Sequence, residues 1–236
     1  MDTTYTYLLV NLCSIAIPFA YSFHPKLGFQ KTWFAFWPAC LITGLFFVVW
    51  DVLFTRLGVW GFNPTYLVGI DILYLPAEEW LFFLCIPYAC TFTYACFKRL
   101  IHRDYLDRVA RPLSWGLVVL LGSLALSAEG RLYTTVTFVC TVVFLLIHLL
   151  IIRPDYLGRF YLAYGVIFAF PFLIVNGILT GSFTEAPVVW YDDGENLATR
   201  VFTIPVEDFI YGLLLYLMNV TLYEAFLSRK ATSPVP

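Results

Sequence analysis

Two pairs of neighbouring acids stand at the start of two strongly apolar stretches of this 236-residue chain. The pairs are Glu78 with Glu79, and Glu207 with Asp208, 129 positions later; each has the pattern proline, any residue, acid, acid. Carboxyl groups held close together in apolar surroundings can keep a proton on one member while another member is ionised. The spacing therefore points to proton-transfer chemistry, in which one acid gives a proton and a second takes one back.

The same residues also suit a purely structural role at the start of a helix. A proline fits the first helical turn, and an acid shortly after it is favourable near the positive end of the helix dipole. A charge at depth in a membrane, however, costs about 2.5–3.5 kcal/mol. Two copies of the motif, in a chain with only 16 acids, favour function over capping alone. Adjacent helix residues point about 100° apart, so the two acids of one pair cannot face one spot equally.

The composition predicts an all-α polytopic membrane protein. Apolar residues make up 61% of the chain and charged residues 13%, whereas a soluble domain carries about 45–50% and 25%. The net charge of −2 argues against a nucleic-acid partner. All six cysteines lie in apolar runs without a CxxC motif, so we expect neither a disulfide framework nor a metal site. The first apolar run lacks a basic n-region and is expected to be a retained span.

We predict seven transmembrane helices from apolar stretches of about 20 residues. They cover residues 4–23, 34–55, 75–97, 113–128, 132–152, 160–181 and 202–227, and Pro171 is one of the prolines expected to kink its span. Eleven of the 14 basic residues then fall on one side, and only Arg56, Arg131 and Arg200 on the other. The positive-inside rule places the N-terminus outside and the C-terminus in the cytoplasm.

The order of features repeats in the two halves of the chain. Asp51 precedes the first acidic pair and Asn176 the second, each near the end of a span and followed by an irregular loop. Spans 1–3 therefore correspond to spans 5–7 with span 4 as a linker, which is a 3+1+3 parallel repeat. The predicted divisions are a first three-helix repeat at 1–100, a basic loop and linker helix at 101–131, a second three-helix repeat at 132–228 and a short tail at 229–236. Asp51, Asn176 and the paired acids would meet around one pocket.

Aromatic residues crowd the same segments and suggest the kind of substrate. Most single rings are expected to belong to the aromatic belt at the membrane interface. Rings that line an apolar pocket can nevertheless stabilise a carbocation through their faces. The predicted substrate-binding residues are Trp50, Trp60, Trp80, Phe83, Tyr74 and Phe209. Acids and aromatic walls inside a membrane fit cyclisation or isomerisation of a polyene.

The chain resembles the flavin-independent membrane lycopene cyclase family. The resemblance rests on Trp50-Asp51 with Thr55, Gly58 and Trp60, on Asn63-Pro64 and Pro76-Ala77-Glu78-Glu79, and on a weaker repeat with Asn176, Thr180 and Pro205-Val206-Glu207-Asp208. Members of that family occur as two small membrane subunits, as one fused chain, and in fungi as a domain joined to phytoene synthase. The resemblance covers essentially the whole chain, in the fused arrangement.

The resemblance implies a lycopene β-cyclase, an enzyme of the isomerase or intramolecular lyase type in carotenoid biosynthesis. A terminal double bond of lycopene would be protonated, an internal double bond would attack the cation, and loss of a ring proton would give the β-ionone end of γ- or β-carotene. No electrons are transferred, so we expect no cofactor and no metal. Glu78 or Glu79 would be the acid. A carboxylate of the other half, Glu207 before Asp208, would assist or take the final proton, and Asp51 and Asn176 would orient them.

The implied partners are lycopene and other linear carotenoids, and the lipid bilayer, with the bacterial inner (plasma) membrane as the expected location. Association with other carotenoid enzymes or with a second copy stays open, as do the number of ends cyclised and the ring isomer. A seven-helix retinal protein needs a lysine in the last span, and none of the four lysines lies there. A membrane prenyltransferase would need spaced aspartate motifs, which are missing. A small transporter remains the alternative, because a 3-1-3 parallel repeat is also a transporter architecture.

Overall fold

The computed structural model describes residues 3–232, with side chains as far as residue 229. Residues 233–236 of the predicted tail lie outside this range. The helices are α1 (Thr6–Ser22), α2 (Trp33–Leu57), α3 (Ala77–Leu100), α4 (Asp107–Ser127), α5 (Leu132–Ile147), α6 (Leu157–Ala169), α7 (Pro171–Leu179) and α8 (Val206–Thr232). Short strands lie in the loops: β1 (Trp60–Phe62), β2 (Asp71–Ile72), β3 (Leu75–Pro76), β4 (Val189–Tyr191), β5 (Arg200–Val201) and β6 (Ile204–Pro205).

The described residues hold five helices long and apolar enough to cross a membrane. These candidate spans are Phe29–Leu57, Ala77–Leu100, Asp107–Ser127, Leu132–Ile152 and Val206–Arg229. Helices α6 and α7 together form a sixth candidate, whereas α1, with 17 residues, is a shorter apolar helix. A mostly helical architecture with several candidate spans is therefore confirmed, while the count of seven and the orientation stay predictions.

The sixth predicted span is broken rather than continuous. Helices α6 and α7 meet at an angle of 49°, and Phe170 at the junction has non-helical dihedral angles. Pro171 is the first residue of α7, where its missing N–H and fixed φ are tolerated, but where it cannot continue the hydrogen bonding of α6. The break gives the two halves of this span different directions beside the rest of the bundle.

Helix α3 lies at the centre of the packing and contacts α1, α2, α6 and α8. Helix α8 in turn packs against α2 and α5. The face of α2 that carries Ala35, Ala39 and Cys40 is fully buried, because small side chains let apolar helices approach closely. A large aromatic cluster around Phe29 and Phe160 fills one part of the interior, and a second around Phe47, Trp50 and Phe83 lies nearer the paired acids.

Two hairpins with the same register lead into α3 and α8. Asp71 pairs with Pro76 and Ile72 with Leu75 in the first, and Arg200 pairs with Pro205 and Val201 with Ile204 in the second, each 129 positions later. Leu73 and Phe202 occupy equivalent turn positions with φ of 51° and 57°, which residues other than glycine seldom adopt. The two halves thus share the strand register before each acidic pair, although Tyr74 has a positive φ and its counterpart Thr203 does not. The correspondence of the complete three-helix halves stays a prediction.

A two-stranded antiparallel sheet joins the loops of the two halves. Trp60 of β1 pairs with Tyr191 of β4, and Gly61 pairs with Trp190. A Cβ atom on Gly61 would clash with the Trp190 ring, so this close approach needs glycine. The sequence predicts irregular loops here and gives no sign of this sheet, which carries Trp60 and Tyr191 to the acids.

A partly buried side-chain cap fixes the start of α6. The Asp104 carboxylate accepts hydrogen bonds from the backbone N–H groups of Leu106 at 3.1 Å and Arg159 at 3.0 Å. A Cβ atom on Gly158 would fall on this carboxylate, whereas one on Gly165, on the same helix, would meet nothing within 4 Å. The cap therefore depends on the absence of a side chain at position 158.

We expect Gly158→Ala to lower the free energy of unfolding by about 1–3 kcal/mol, because the added methyl group must displace the Asp104 carboxylate. Gly165→Ala is the matched control and should stabilise the helix by about 0.5–1 kcal/mol. Denaturant-induced unfolding of the purified variants in detergent measures both. Equal stabilities of the two variants would contradict the role assigned to the cap.

Candidate active site

A cavity of about 370 Å³ lies between α1, α2, α3, α6, α7 and α8, and the loops that carry β1 and β4 border it. Its lining is mainly apolar and aromatic, with a small group of ionisable and amide side chains at one end. That group comprises Tyr7, Asp51, Glu79, Asn176, Tyr191 and Asp208. An apolar cavity with a few converging polar groups is the usual form of a small-molecule site.

The first group of the site consists of Glu79 with Asp51. The Tyr7 hydroxyl donates a short hydrogen bond to Oε2 of Glu79, and Trp60 Nε1 donates to Asp51 Oδ1 at 2.5 Å. The two carboxyl groups lie within hydrogen-bonding reach of each other. Asp51 Oδ2 is buried and has no donor among the described residues. The carboxyl groups of Glu79 and Asp51 therefore have few hydrogen-bond donors between them.

The second group consists of Asp208 and three donors. Tyr133 donates its hydroxyl to Oδ1 at 2.6 Å, while Asn176 Nδ2 and the Tyr191 hydroxyl donate to Oδ2 at 3.1 and 3.0 Å. Burial, and then the neighbouring Asp208 carboxyl, raise the pKa of the Tyr191 hydroxyl well above its ordinary value. Tyr191 therefore keeps its proton and acts as a donor. Asn176 has the place beside Asp208 that Asp51 has beside Glu79.

The other acid of each pair faces the preceding loop. Glu78 Oε1 accepts the backbone N–H of Val68 at 2.7 Å, and Glu207 Oε1 accepts that of Leu197 at 2.8 Å. Both donors lie ten residues before their acid. Glu207 Oε1 also accepts the Thr134 hydroxyl at 2.6 Å. One acid of each pair thus holds its own loop, and its neighbour, rotated by about 100°, reaches the cavity.

Four of the six predicted catalytic residues border the cavity, namely Asp51, Glu79, Asn176 and Asp208. Glu78 and Glu207 do not, because their side chains are engaged with the loops. The expectation that Glu207 comes before Asp208 as proton acceptor does not fit this placement. The catalytic roles of the four cavity residues stay predictions.

Trp60 is the one predicted substrate-binding ring found among the cavity-lining residues that the structure describes. Trp50 and Phe83 are buried in the core cluster beside Phe47, and Trp50 stacks on Phe47 with ring centroids 5.7 Å apart. Their place in the packing between helices explains why they do not reach the cavity. Their role in substrate binding stays a prediction that this placement does not support.

The other three predicted rings also lie elsewhere. Trp80 donates Nε1 to the carbonyl of Ile72 in the first hairpin at 3.1 Å. Tyr74 is 65% exposed, and the guanidinium of Arg56 lies 5.2 Å from its ring centroid. Phe209 packs against Phe172 with ring centroids 4.8 Å apart, behind the cavity wall. Trp80, Tyr74 and Phe209 therefore do not line the cavity, and their role in substrate binding stays a prediction.

Tyrosines are the functional candidates that the sequence analysis missed. Tyr7 and Tyr133 are the hydroxyl donors to the two cavity acids, and Tyr191 is a third donor. Tyr211 also lines the cavity, and its hydroxyl is close enough to Glu79 and Asp208 to interact with both. One signal was present: Tyr211 follows Asp208 by three positions, which places both on one helix face.

Two curated fungal proteins are similar to part of the chain. The bifunctional lycopene cyclase/phytoene synthase of Arthroderma gypseum is 25% identical over 150 residues, which are 62% of this chain and 24% of that protein. The protein of the same description from Colletotrichum graminicola is 30% identical over 138 residues, 55% of this chain and 23% of that protein. The chain thus matches about a quarter of the length of these relatives. No solved structure matches the chain.

The model of the lycopene cyclase family matches residues 4–97 and 130–226. These two stretches contain every cavity acid and every tyrosine donor described above, and they amount to well over half of the chain. The match confirms the resemblance that the paired acids and the tryptophan motif indicate. The chain belongs to the lycopene cyclase family.

Proposed function

We propose that the protein cyclises the acyclic ends of lycopene to β-ionone rings, giving γ- or β-carotene, by acid–base catalysis without a net change in oxidation state. The observation that carries the proposal is the difference between two carboxyl sites at one end of an apolar cavity. Glu79 and Asp51 lie side by side with few hydrogen-bond donors, whereas Asp208 accepts three hydrogen bonds. One proton is added to a terminal double bond, and one proton is lost from the new ring. The product is therefore an isomer of the substrate, and no electron acceptor is consumed.

The proton donor in this proposal is Glu79 with Asp51. Their four carboxyl oxygens receive hydrogen bonds from Tyr7 and Trp60, and the Thr55 hydroxyl also lies close to Asp51. One proton held between two adjacent carboxyl groups supplies a missing donor and removes the repulsion of two buried negative charges. A proton held in this way lies beside the cavity, where a double bond of the substrate can take it.

The proton acceptor in this proposal is Asp208. Its two oxygens accept three hydrogen bonds, and donors of this kind favour the ionised form of a carboxyl group. The guanidinium of Arg200 lies 5.9 Å from the Tyr191 ring centroid, on the same side of the site, and adds positive potential. A carboxylate with these neighbours is suited to removing the ring proton of a cation.

Aromatic faces between the two acids would stabilise the cation during ring closure. The rings of Trp60 and Tyr133 have centroids 5.1 Å apart, and those of Trp60 and Tyr211 lie 6.2 Å apart. All three rings border the cavity. The face of an aromatic ring attracts a cation by about 0.5–2 kcal/mol, more when water is excluded. The transporter alternative is not favoured, because the chain belongs to a cyclase family.

Replacing either Glu79 or Asp208 should abolish most of the activity. Glu79→Gln and Asp208→Asn keep the size of each side chain but cannot transfer a proton, and each should lower turnover of lycopene about a hundredfold or more. Conversion by the purified protein, followed by chromatography of the pigments, measures the effect.

The neighbouring acids supply the matched controls. Glu78→Gln and Glu207→Gln keep an oxygen that can accept the Val68 and Leu197 N–H groups, so their turnover should stay close to that of the parent protein. If Glu78→Gln lost as much activity as Glu79→Gln, the division between loop-holding and cavity acids would be untenable.

The source of the added proton can be followed with heavy water. A carboxyl proton exchanges with solvent, so product formed in deuterium oxide should carry one deuterium for each ring closed. Mass spectrometry of the extracted pigment measures this label, and unreacted lycopene from the same sample is the control. Product without deuterium would rule out initiation by an exchangeable acid.

We also propose the finer topology of seven spans, with α1 as the first and the N-terminus outside, supported by the distribution of basic residues. The three-helix units, 1–100 and 132–228, joined by 101–131, belong to this proposal. The relatives reported above are fungal, so they lend no support to a bacterial inner membrane, and lipid and protein partners stay predictions.

Cysteines placed on the two sides test the orientation. Glu185→Cys should react with an added membrane-impermeant maleimide in intact cells, and Arg103→Cys should react only after the cells are opened. The parent chain, whose cysteines lie in the helices, gives the background labelling. Labelling of Arg103→Cys in intact cells would reverse the proposed orientation.

A further inference from the structure

Beyond the acids, the cavity continues along one face of α3. The α3 residues on its floor are Ile86, Ala89, Cys90 and Thr93, which follow the spacing of a single helix face. From Glu79 to Thr93 the helix rises about 21 Å at about 1.5 Å per residue. The cavity is therefore elongated, with the carboxyl groups at one end.

Helices α1 and α6–α7 form the two walls of this channel. Both α1 and α6 pack on α3, and α1 meets α7 near the carboxyl end, where Tyr7 and Val10 share a cluster with Leu179. The wall formed by α6 and α7 is bent by 49° at their junction. We call this channel the side groove and define it by Ser14, Ile17, Ile86, Ala89, Phe168 and Phe172.

The side groove is open towards the outer surface of the helix bundle. Ile17 lines the cavity and is nevertheless 68% exposed. Cys13 on the same wall and Pro171 on the opposite wall also line the cavity and are exposed. The opening lies between two apolar helices of a membrane protein, so it faces hydrocarbon rather than water.

Polar atoms along the groove are mostly occupied within their own helices. Ser14 donates its hydroxyl to the carbonyl of Val10 at 2.7 Å, and Thr93 donates to that of Ala89 at 2.9 Å. Both side chains therefore present apolar surface to the groove. The Tyr216 hydroxyl is an exception, since it is buried without a hydrogen-bond partner among the described residues and also lines the cavity. A conjugated chain offers a π-face that such a donor can contact.

We propose that the side groove binds the unreacted arm of a linear polyene, which enters sideways from the bilayer between α1 and α6–α7. This inference rests on the proposed function, because it places the other end of the same molecule beside Glu79 and Asp208. The whole cavity, from Glu79 to Thr93, is about 21 Å long, which is less than the roughly 30 Å thickness of the hydrocarbon core. A substrate about as long as that core therefore extends past the groove into lipid.

Filling the groove tests the proposal. Ser14→Trp places a large ring in the groove, and Leu12→Trp is the control, since Leu12 is 50% exposed on the same helix but does not line the cavity. Two substrates are compared: lycopene, and a half-length acyclic polyene with the same reactive end. Ser14→Trp should lower the ratio of the lycopene rate to the half-length rate about tenfold, or about 1.4 kcal/mol, whereas Leu12→Trp should leave the ratio unchanged.

Binding is measured separately from turnover. Each tryptophan change is introduced into a Glu79→Gln chain, which is purified from lycopene-accumulating cells, and the bound carotenoid per protein is determined. Ser14→Trp should lower this amount about tenfold relative to Leu12→Trp. If Ser14→Trp leaves both the rate ratio and the amount of bound carotenoid unchanged, the proposal is overturned. If Ser14→Trp lowers the amount of co-purified phospholipid instead of carotenoid, the groove is a lipid site, and the proposal is overturned as well.

The two readouts separate failure of the groove from failure of the proposed reaction. If the parent protein forms no cyclic product while bound carotenoid still depends on position 14, the cyclase assignment fails and the groove proposal stands. If the parent protein cyclises lycopene and both substrates lose rate equally in Ser14→Trp, the substitution acts on the reacting end, and the groove proposal fails.

Discussion

The free-energy cost of burying carboxyl groups among apolar helices determines which groups surround them in the interior of this protein. Glu78, Glu79, Glu207 and Asp208 are all less than 10% exposed. Each needs hydrogen-bond donors, since an unmet buried polar group costs several kcal/mol. Loop N–H groups satisfy one acid of each pair, and hydroxyl groups from α1, α5 and β4 reach the other. The acids thus hold loops and neighbouring helices in place, so stability and chemistry depend on the same side chains.

The two halves share the register of their hairpins but differ in the side chain beside the cavity acid. The hairpins before α3 and α8 have one register, and each loop-facing acid accepts an N–H from ten residues earlier. Asp51 lies beside Glu79, whereas Asn176, an amide that can only donate from its nitrogen, lies beside Asp208. A single carboxyl-to-amide difference therefore separates a pair suited to sharing a proton from an acid surrounded by donors. Duplicated scaffolds can acquire unequal chemistry through such small changes.

The sequence predicts the chemistry-bearing positions better than the contacts that complete them. Patterns of proline, acids and apolar runs locate the helix starts and the family, because they depend on local rules for helices and membranes. The angle between helices determines which acid of each pair faces the cavity, and this angle cannot be read from the amino-acid composition. The sheet between Trp60 and Tyr191 joins residues 131 positions apart. Aromatic content does not distinguish a cavity wall from packing between helices, so the sequence alone does not place Trp50 in the core cluster where the structure has it.

Glu79, Asp51 and Asp208 all lie at the same end of the side groove, which matters for the proposed reaction of a substrate with two identical ends. In that reaction only one end could react while the molecule is bound, and the first ring would close at the carboxyl groups while the second end lies away from them. A second ring would require the molecule to leave sideways, turn end for end in the bilayer and return. The proportion of singly and doubly cyclised product would then be a kinetic partition between escape into the membrane and rebinding, set by the lipid phase as much as by the catalytic groups.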